Sequence, residues 1–228
     1  MTRVYAHRGD SQAYPENTLL AFRKALESGA YGIELDLHAT SDGTVVVIHD
    51  RSLERTTSGR GYVDEQPLAV IREFDAGAGE RVPTFAEVLE LVGDQMHFDL
   101  EVKQPGIEPE VLDVLARYPA TRWAISSFDW EILDRIRQLA PKAELWPLAM
   151  RVDEGLLTQA ARLGSPCVAI DAGAYTGASA QVIGEAGLTA MVWTVNEPGE
   201  ALRVRALGAA AVCTDLPREM VALYTGAG

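Results

Sequence analysis

Tyr31–Asp50 reads YGIELDLHATSDGTVVVIHD. From Tyr31 to His38 the apolar Ile33, Leu35 and Leu37 alternate with polar residues, so Glu34 and Asp36 share one face of an expected strand. Val45–Ile48 is β-branched throughout and reads as a second strand. The Asp42-Gly43 pair between them is a hairpin signal. A turn centred between these two puts Asp36 across from His49 and Glu34 across from Arg51. Two carboxylates and an imidazole then meet at one place. That set suits a divalent cation held through oxygens with a proton carrier beside it. An exposed hairpin with one polar face would alternate in the same way, so the flanking chain has to decide.

Upstream, Val4–Ala6 is a short strand ending in His7-Arg8-Gly9: a proton carrier, a phosphate fork and a flexible turn. Asn17 or Thr18 can cap a helix over Leu19–Ser28, which Gly29 stops. Downstream, Arg51–Val82 is irregular apart from a short helix expected around Leu68–Phe74. It reads as an inserted segment at about 51–82, and a connection of this length is usually functional, often as a lid. Order returns at Thr84 and Glu87, a capping box ahead of Val88, Leu89 and Leu91.

From there strands and helices alternate. Strands are expected at His97–Val102, Trp123–Ser126, Glu144–Leu148, Cys167–Ile170, Ala190–Thr194 and Ala211–Cys213. Helices fall near Glu110–Tyr118, Asp129–Ala140, Asp153–Leu163, Ala178–Ala186, Pro198–Leu207 and Pro217–Tyr224. With the first two strands and their helices this gives eight βα units. Within a single domain of 228 residues, that number implies a (β/α)8 TIM barrel, an α/β fold with parallel strands. An open doubly wound sheet is the rival, and the chain lacks the glycine-rich dinucleotide fingerprint that would support it.

Composition excludes several functions. The formal charge of −13 rules out a general field for nucleic acid. No apolar run is long enough to span a membrane. The opening Met1–Tyr5 goes straight into a strand with no signal-peptide core, which gives a cytoplasmic expectation. Cys167 and Cys213 sit in apolar runs and read as buried small hydrophobes.

In such barrels chemistry gathers at the C-terminal strand ends. These carry His7 and Arg8; Glu34 and Asp36 with His49; Glu101 and Lys103; Ser126-Ser127-Phe128; Asp171; Trp193 to Asn196; and Asp215. Glu34, Asp36 and Glu101 make an oxygen-rich site for Mg2+ or Ca2+. Arg8 and Lys103 add fixed positive charge, and His7 and His49 can divide acid and base roles at an anionic phosphorus centre. Plainer readings exist for each part. The carboxylates and Lys103 would suit barrel-mouth ion pairs. A lone His7 is often only hydrogen-bonded, and Trp193 could be core or a ligand platform. His38 and His97 read as structural, and Asp171 and Asp215 as helix caps at most.

Taken together the sequence resembles the glycerophosphodiester phosphodiesterase family, in its short, soluble bacterial form. The shared elements are HRG at His7–Gly9, PENT at Pro15–Thr18, E-x-D at Glu34 and Asp36, and the Asp42-Gly43 turn. They continue with HD at His49-Asp50, RTT-x-G at Arg55–Gly59, PT-x-x-E-V-L at Pro83–Leu89, E-x-K at Glu101 and Lys103, and WTVN at Trp193–Asn196. The resemblance implies hydrolysis of small glycerophosphodiesters to sn-glycerol 3-phosphate and an alcohol. It implies Glu34, Asp36 and Glu101 as ligands of Mg2+ or Ca2+, and His7 and His49 as the acid–base pair. Arg8 and Lys103 would hold the phosphate and Trp193 would pack against the glycerol, while Glu16 and Asn17 would shape the first loop. A lyase of the same fold acting on lysophospholipids and a non-catalytic binder of phosphorylated ligands are the alternatives. The alcohol, the choice of cation and the oligomeric state stay open at this point.

Overall fold

The computed structural model describes residues 2–226. Eight parallel strands close into a barrel: β1 (Arg3–His7), β2 (Gly32–Ala39), β4 (His97–Val102), β5 (Arg122–Ser127), β6 (Leu145–Ala149), β7 (Cys167–Asp171), β8 (Thr189–Trp193) and β9 (Ala211–Thr214). Closure comes from β1, which pairs in parallel with both β2 and β9. The expected (β/α)8 barrel is therefore the observed fold. Helices α1 (Leu19–Ser28), α3 (Phe85–Val92), α4 (Glu108–Ala116), α5 (Trp130–Leu139), α6 (Glu154–Leu163), α7 (Gly177–Glu185), α8 (Pro198–Ala206) and α9 (Pro217–Thr225) follow the strands in turn. None among the described residues is long and apolar enough to cross a membrane.

Strand parity sorts the core into two layers. On β7, Val168 and Ile170 join the outer layer under the helices, whereas Cys167 and Ala169 face the barrel interior with Ala124, Leu148, Met191, Ala211 and Cys213. Burial on both faces explains the near-continuous apolar reading of these strands. The N-terminal end of the barrel is plugged by aromatics. His97 stacks on Trp146 at a centroid distance of 5.8 Å, and its Nδ1 lies 3.1 Å from Tyr5 Oη. Burial lowers the His97 pKa to about 4, so it is a neutral, structural group.

Local signals fix the helix ends. The Thr18 side chain accepts from Ala21 N–H, and Gly29 ends α1 in the left-handed region. Thr84 and Glu87 close their capping box at the start of α3. The hairpin register is one step away from expectation. β3 (Val45–Val47) pairs antiparallel with β2 through Leu37–Val47, His38–Val46 and Ala39–Val45. Thr40 N–H bonds Thr44 O at 3.0 Å and Gly43, at φ +78°, bonds back to Thr40 O, so the turn encloses three residues. Ile48, not His49, therefore meets the Asp36 backbone, with N–H to O at 3.0 Å. Arg51 does not face Glu34 but points outward to Asp64.

Residues 51–82 have a small core of their own. Leu53, Val63, Ile71, Ala76 and Val82 pack with Val46 and Ile48 of the hairpin arm. The expected helix shrinks to one turn, α2 (Leu68–Ile71).

Gly32, at the start of β2, has no room for a side chain. A Cβ there would lie 2.5 Å from the Tyr5 ring and 2.6 Å from His97 O. Gly32→Ala is expected to destabilise the protein by roughly 1–3 kcal/mol through overpacking against a backbone that cannot yield, seen as a lower urea midpoint at unchanged slope.

Candidate active site

Glu34 and Asp36 lie two apart on β2, and the β2–β4 register sets Glu101 directly beside Asp36. One carboxylate oxygen from each of the three falls within 4.8 Å of the others, and all three residues are buried. Fixed cations hold this cluster. Arg8 Nε is 3.2 Å from Asp36 Oδ2, and Lys103 Nζ is 2.6 Å from Glu101 Oε1 and 3.3 Å from Asp36 Oδ1. Asn17 Nδ2 donates to Asp36 Oδ2 at 2.8 Å, and the Arg8 backbone N–H to Glu34 Oε2 at 3.1 Å.

The electrostatics divide the three. Burial, then the neighbouring Asp36, drives the Glu34 pKa well up. Burial and Asp36 likewise bring Glu101 to about 7. Against its own burial, Asp36 is held below the usual range by Lys103 and Arg8. Three hard oxygen donors so close, with more negative charge than their two cations offset, suit a divalent cation such as Mg2+ or Ca2+. The residues present therefore fit a metal of that kind.

Each of two imidazoles is fixed at one nitrogen. His7 Nδ1 is 2.6 Å from Asp215 Oδ1, and His49 Nδ1 is 2.6 Å from Asp50 Oδ1. An ionised carboxylate only accepts, so Nδ1 carries the proton in both rings and Nε2 is left to work. His7 Nε2 lies 3.9 Å from Glu34 Oε2. The carboxylates are anchored in turn. Asp215 accepts from Asn196 Nδ2 at 2.6 Å and from Ser11 Oγ at 3.0 Å. Although burial opposes it, the His7 contact brings the Asp215 pKa to about 2. Asp50 accepts from Arg55 Nε at 2.6 Å, and Arg55 also donates twice to Glu16 at 2.9 Å. Glu16 takes a further bond from Arg8 Nη1 at 3.0 Å. His38 stands behind His49, with Nε2 at 3.2 Å from the His49 carbonyl, and burial lowers the pKa of both rings.

All these groups except Asp36 among the expected set line one cavity of about 520 Å³ including its mouth. Asp36 lies behind it, wholly buried and gripped by Arg8, Lys103 and Asn17. The opposite wall is apolar: Phe128, Leu148, Met191, Trp193 and Cys213. Phe128 meets Trp193 edge to face at 5.4 Å.

The eight residues expected from sequence are thus brought together, His49 despite the shifted register. Two expectations are corrected. Asp215 caps no helix: α9 has no side-chain cap, and the carboxylate serves His7. Asp171 accepts from Gly173 and Ala174 N–H in a local turn, while Thr176 caps α7. Glu16 and Asn17, expected to shape the first loop, bond Arg8 and Arg55, and Asp36, respectively. Asp50, Arg55 and Asp99 had no assigned role. Adjacency of Asp50 to His49 was a signal for the first; nothing local joins Asp215 to His7 across 208 positions.

Cleaving a phosphate diester asks for positive charge around phosphorus and two proton carriers on either side of it, and the class that this barrel and mouth define is that of phosphodiesterases. A family model described as the glycerophosphoryl diester phosphodiesterase family matches residues 7–219, and the chain belongs to that family. A glycerophosphodiester phosphodiesterase of Caldanaerobacter subterraneus is 41% identical over 177 residues, 67% of this chain and 73% of that protein. One of Bacillus subtilis is 31% identical over 93% of this chain and 83% of its own length. Among solved structures, an Oleispira antarctica phosphodiesterase in complex with the product sn-glycerol-3-phosphate superposes with a TM-score of 0.94 at 28% identity, covering 99% of this chain and 97% of that one.

The Asp215 carboxyl ionises more readily when folded than when unfolded, so its contribution is complete above its ordinary value near 4 and is lost as pH falls through about 2. Asp215→Asn is expected to lower stability at neutral pH and to flatten the loss of stability between about pH 4 and pH 2. Urea unfolding across that range reads both effects.

Proposed function

We propose that the chain hydrolyses small glycerophosphodiesters, such as glycerophosphocholine and glycerophosphoethanolamine, to sn-glycerol 3-phosphate and the free alcohol. The observation that carries this reading is the pair of carboxylate-anchored imidazoles set around one buried triad of carboxylates. Glu34, Asp36 and Glu101 would hold Mg2+ or Ca2+, which when bound supplies charge that neutralises the phosphoryl oxygens. Arg8 and Lys103 add fixed charge to the same oxygens. One histidine Nε2 takes the proton of the attacking hydroxyl as its P–O bond forms. The other gives a proton to the alcohol oxygen as that P–O bond breaks. The nucleophile is water, or the glycerol hydroxyl next to the phosphate, which would leave a cyclic phosphate for water to open. Trp193 would pack against the glycerol carbons.

A lyase acting on lysophospholipids is the second reading. It is favoured by two apolar side chains at strand ends of the mouth, Phe128 at 45% and Met150 at 62% exposure. The full set of histidines and carboxylates speaks against a binder without turnover.

The test is 31P NMR of glycerophosphocholine with the protein, first in EDTA and then in Mg2+ or Ca2+. A metal-dependent sn-glycerol 3-phosphate signal is expected, together with a metal-dependent rise in melting temperature. A persistent cyclic phosphate would move the assignment to the lyase. His49→Ala should lower turnover by about 100- to 10,000-fold, the usual weight of general acid–base catalysis, while its melting temperature stays near that of the parent. Full activity in this variant would remove His49 from the mechanism.

A further inference from the structure

Three residues of the cavity lining hold buried polar atoms without a hydrogen bond of ordinary geometry: both oxygens of Asp99, its neighbour Ser126 Oγ, and Trp193 Nε1. Buried polar groups are almost always paired, and an unpaired one costs about 1–3 kcal/mol. Three such groups around one cavity point to an occupant that supplies the missing bonds. Asp99 precedes Glu101 by two residues on β4, so it faces the same way about 7 Å nearer the barrel floor. Both Asp99 and Ser126 are fully buried. Their floor lies beside the sulfur and methyl groups of Cys213, Met191 and Leu148, which can accept a short carbon skeleton.

The mixture of donors and acceptors selects the occupant. The Asp99 carboxyl accepts and, when protonated, also donates; the Trp193 indole is a donor, and Ser126 can be either. A phosphate would meet a fourth carboxylate here, away from Arg8 and Lys103. An ammonium only donates, and would leave the indole N–H unpaired; a quaternary ammonium does not even donate. A neutral hydroxyl both donates and accepts, and vicinal hydroxyls could serve all three groups.

Resting on the phosphodiesterase reading above, we propose that Asp99 and Ser126, with the Trp193 indole, form a hydroxyl-binding floor that takes the polyol end of the substrate. The alcohol to be released then points outward, past Phe128. Asp99 and Ser126 are specificity residues in this arrangement, and the reaction selects for free hydroxyls on the deep side of the phosphorus.

Calorimetric binding tests this without requiring turnover. The ligands are sn-glycerol 3-phosphate, propyl phosphate, which lacks both hydroxyls, and phosphoethanolamine, each in Mg2+ and again in Ca2+. The parent protein is expected to prefer sn-glycerol 3-phosphate over propyl phosphate by at least about tenfold, the weight of one buried hydrogen bond. Ser126→Ala and Asp99→Leu should each cut that preference to about twofold or less, with propyl phosphate affinity little changed. Melting temperatures show that each variant is folded, and either variant alone can give the result. A parent without preference, a preference unaltered in both folded variants, or tighter binding of phosphoethanolamine overturns the proposal. Failure here while glycerophosphocholine is still hydrolysed removes only the floor. Preserved hydroxyl discrimination without hydrolysis removes only the reaction.

Discussion

Three buried carboxylates within 4.8 Å of one another are the constraint around which the molecule is arranged. Two like charges about 4 Å apart repel by about 4 kcal/mol at an effective dielectric constant of about 20. Such a cluster persists only if other parts of the fold hold it in place and offset its charge. β2 and β4 do the first, since their register sets Glu101 next to Asp36 on a rigid sheet. Arg8, Lys103 and Asn17 do the second, all directed at Asp36. Burial first, and then the neighbouring Asp36, raise the pKa of Glu34 and Glu101, and the charge left over suits a divalent cation.

The two imidazoles hang from the same framework. A continuous chain runs from His49 through Asp50, Arg55 and Glu16 to Arg8, and from Arg8 into Asp36. Arg55 belongs to the irregular segment after β3, so that segment ties the first loop to the hairpin end. Its own small core on Val46 and Ile48 gives it a firm seat. On the far side, Asn196 after β8 and Asp215 after β9 hold His7. Each histidine is thus oriented by loops that the barrel closure brings together, which is the usual advantage of building a site on strand ends.

Local chemistry made much of this legible. Period-two alternation put Glu34 with Asp36, and Glu101 with Lys103, because a strand sends every second side chain to one face. Asn17-Thr18, Gly29 and the Thr84–Glu87 pair announced their helix ends, since caps act within a few residues, and the structure chose Thr18 over Asn17. The strict alternation of strands and helices counted eight units and so named the barrel. The hairpin shows where this kind of reading slips. An Asp-Gly pair signals a turn, but Thr40 closing on Thr44 lengthens the loop by one residue and moves every pairing. His49 reaches the cavity because the chain leaves β2 after Ile48, whose N–H still bonds the Asp36 carbonyl, a departure that no pattern of residues encodes.

By itself, then, the sequence determined the βα repeat, the faces of each strand and the kinds of residue that gather at the mouth, because these follow from periodicity and side-chain chemistry within short stretches. Only the tertiary structure decided who serves whom. Asp215 belongs to His7 and not to a helix because β1 and β9 are neighbours once the barrel closes. Asp99 lines the cavity as a buried carboxyl because β4 sends it to the same interior face as Glu101 once the barrel closes. Such partnerships depend on closure across the whole chain, and closure is a property of all eight strands at once.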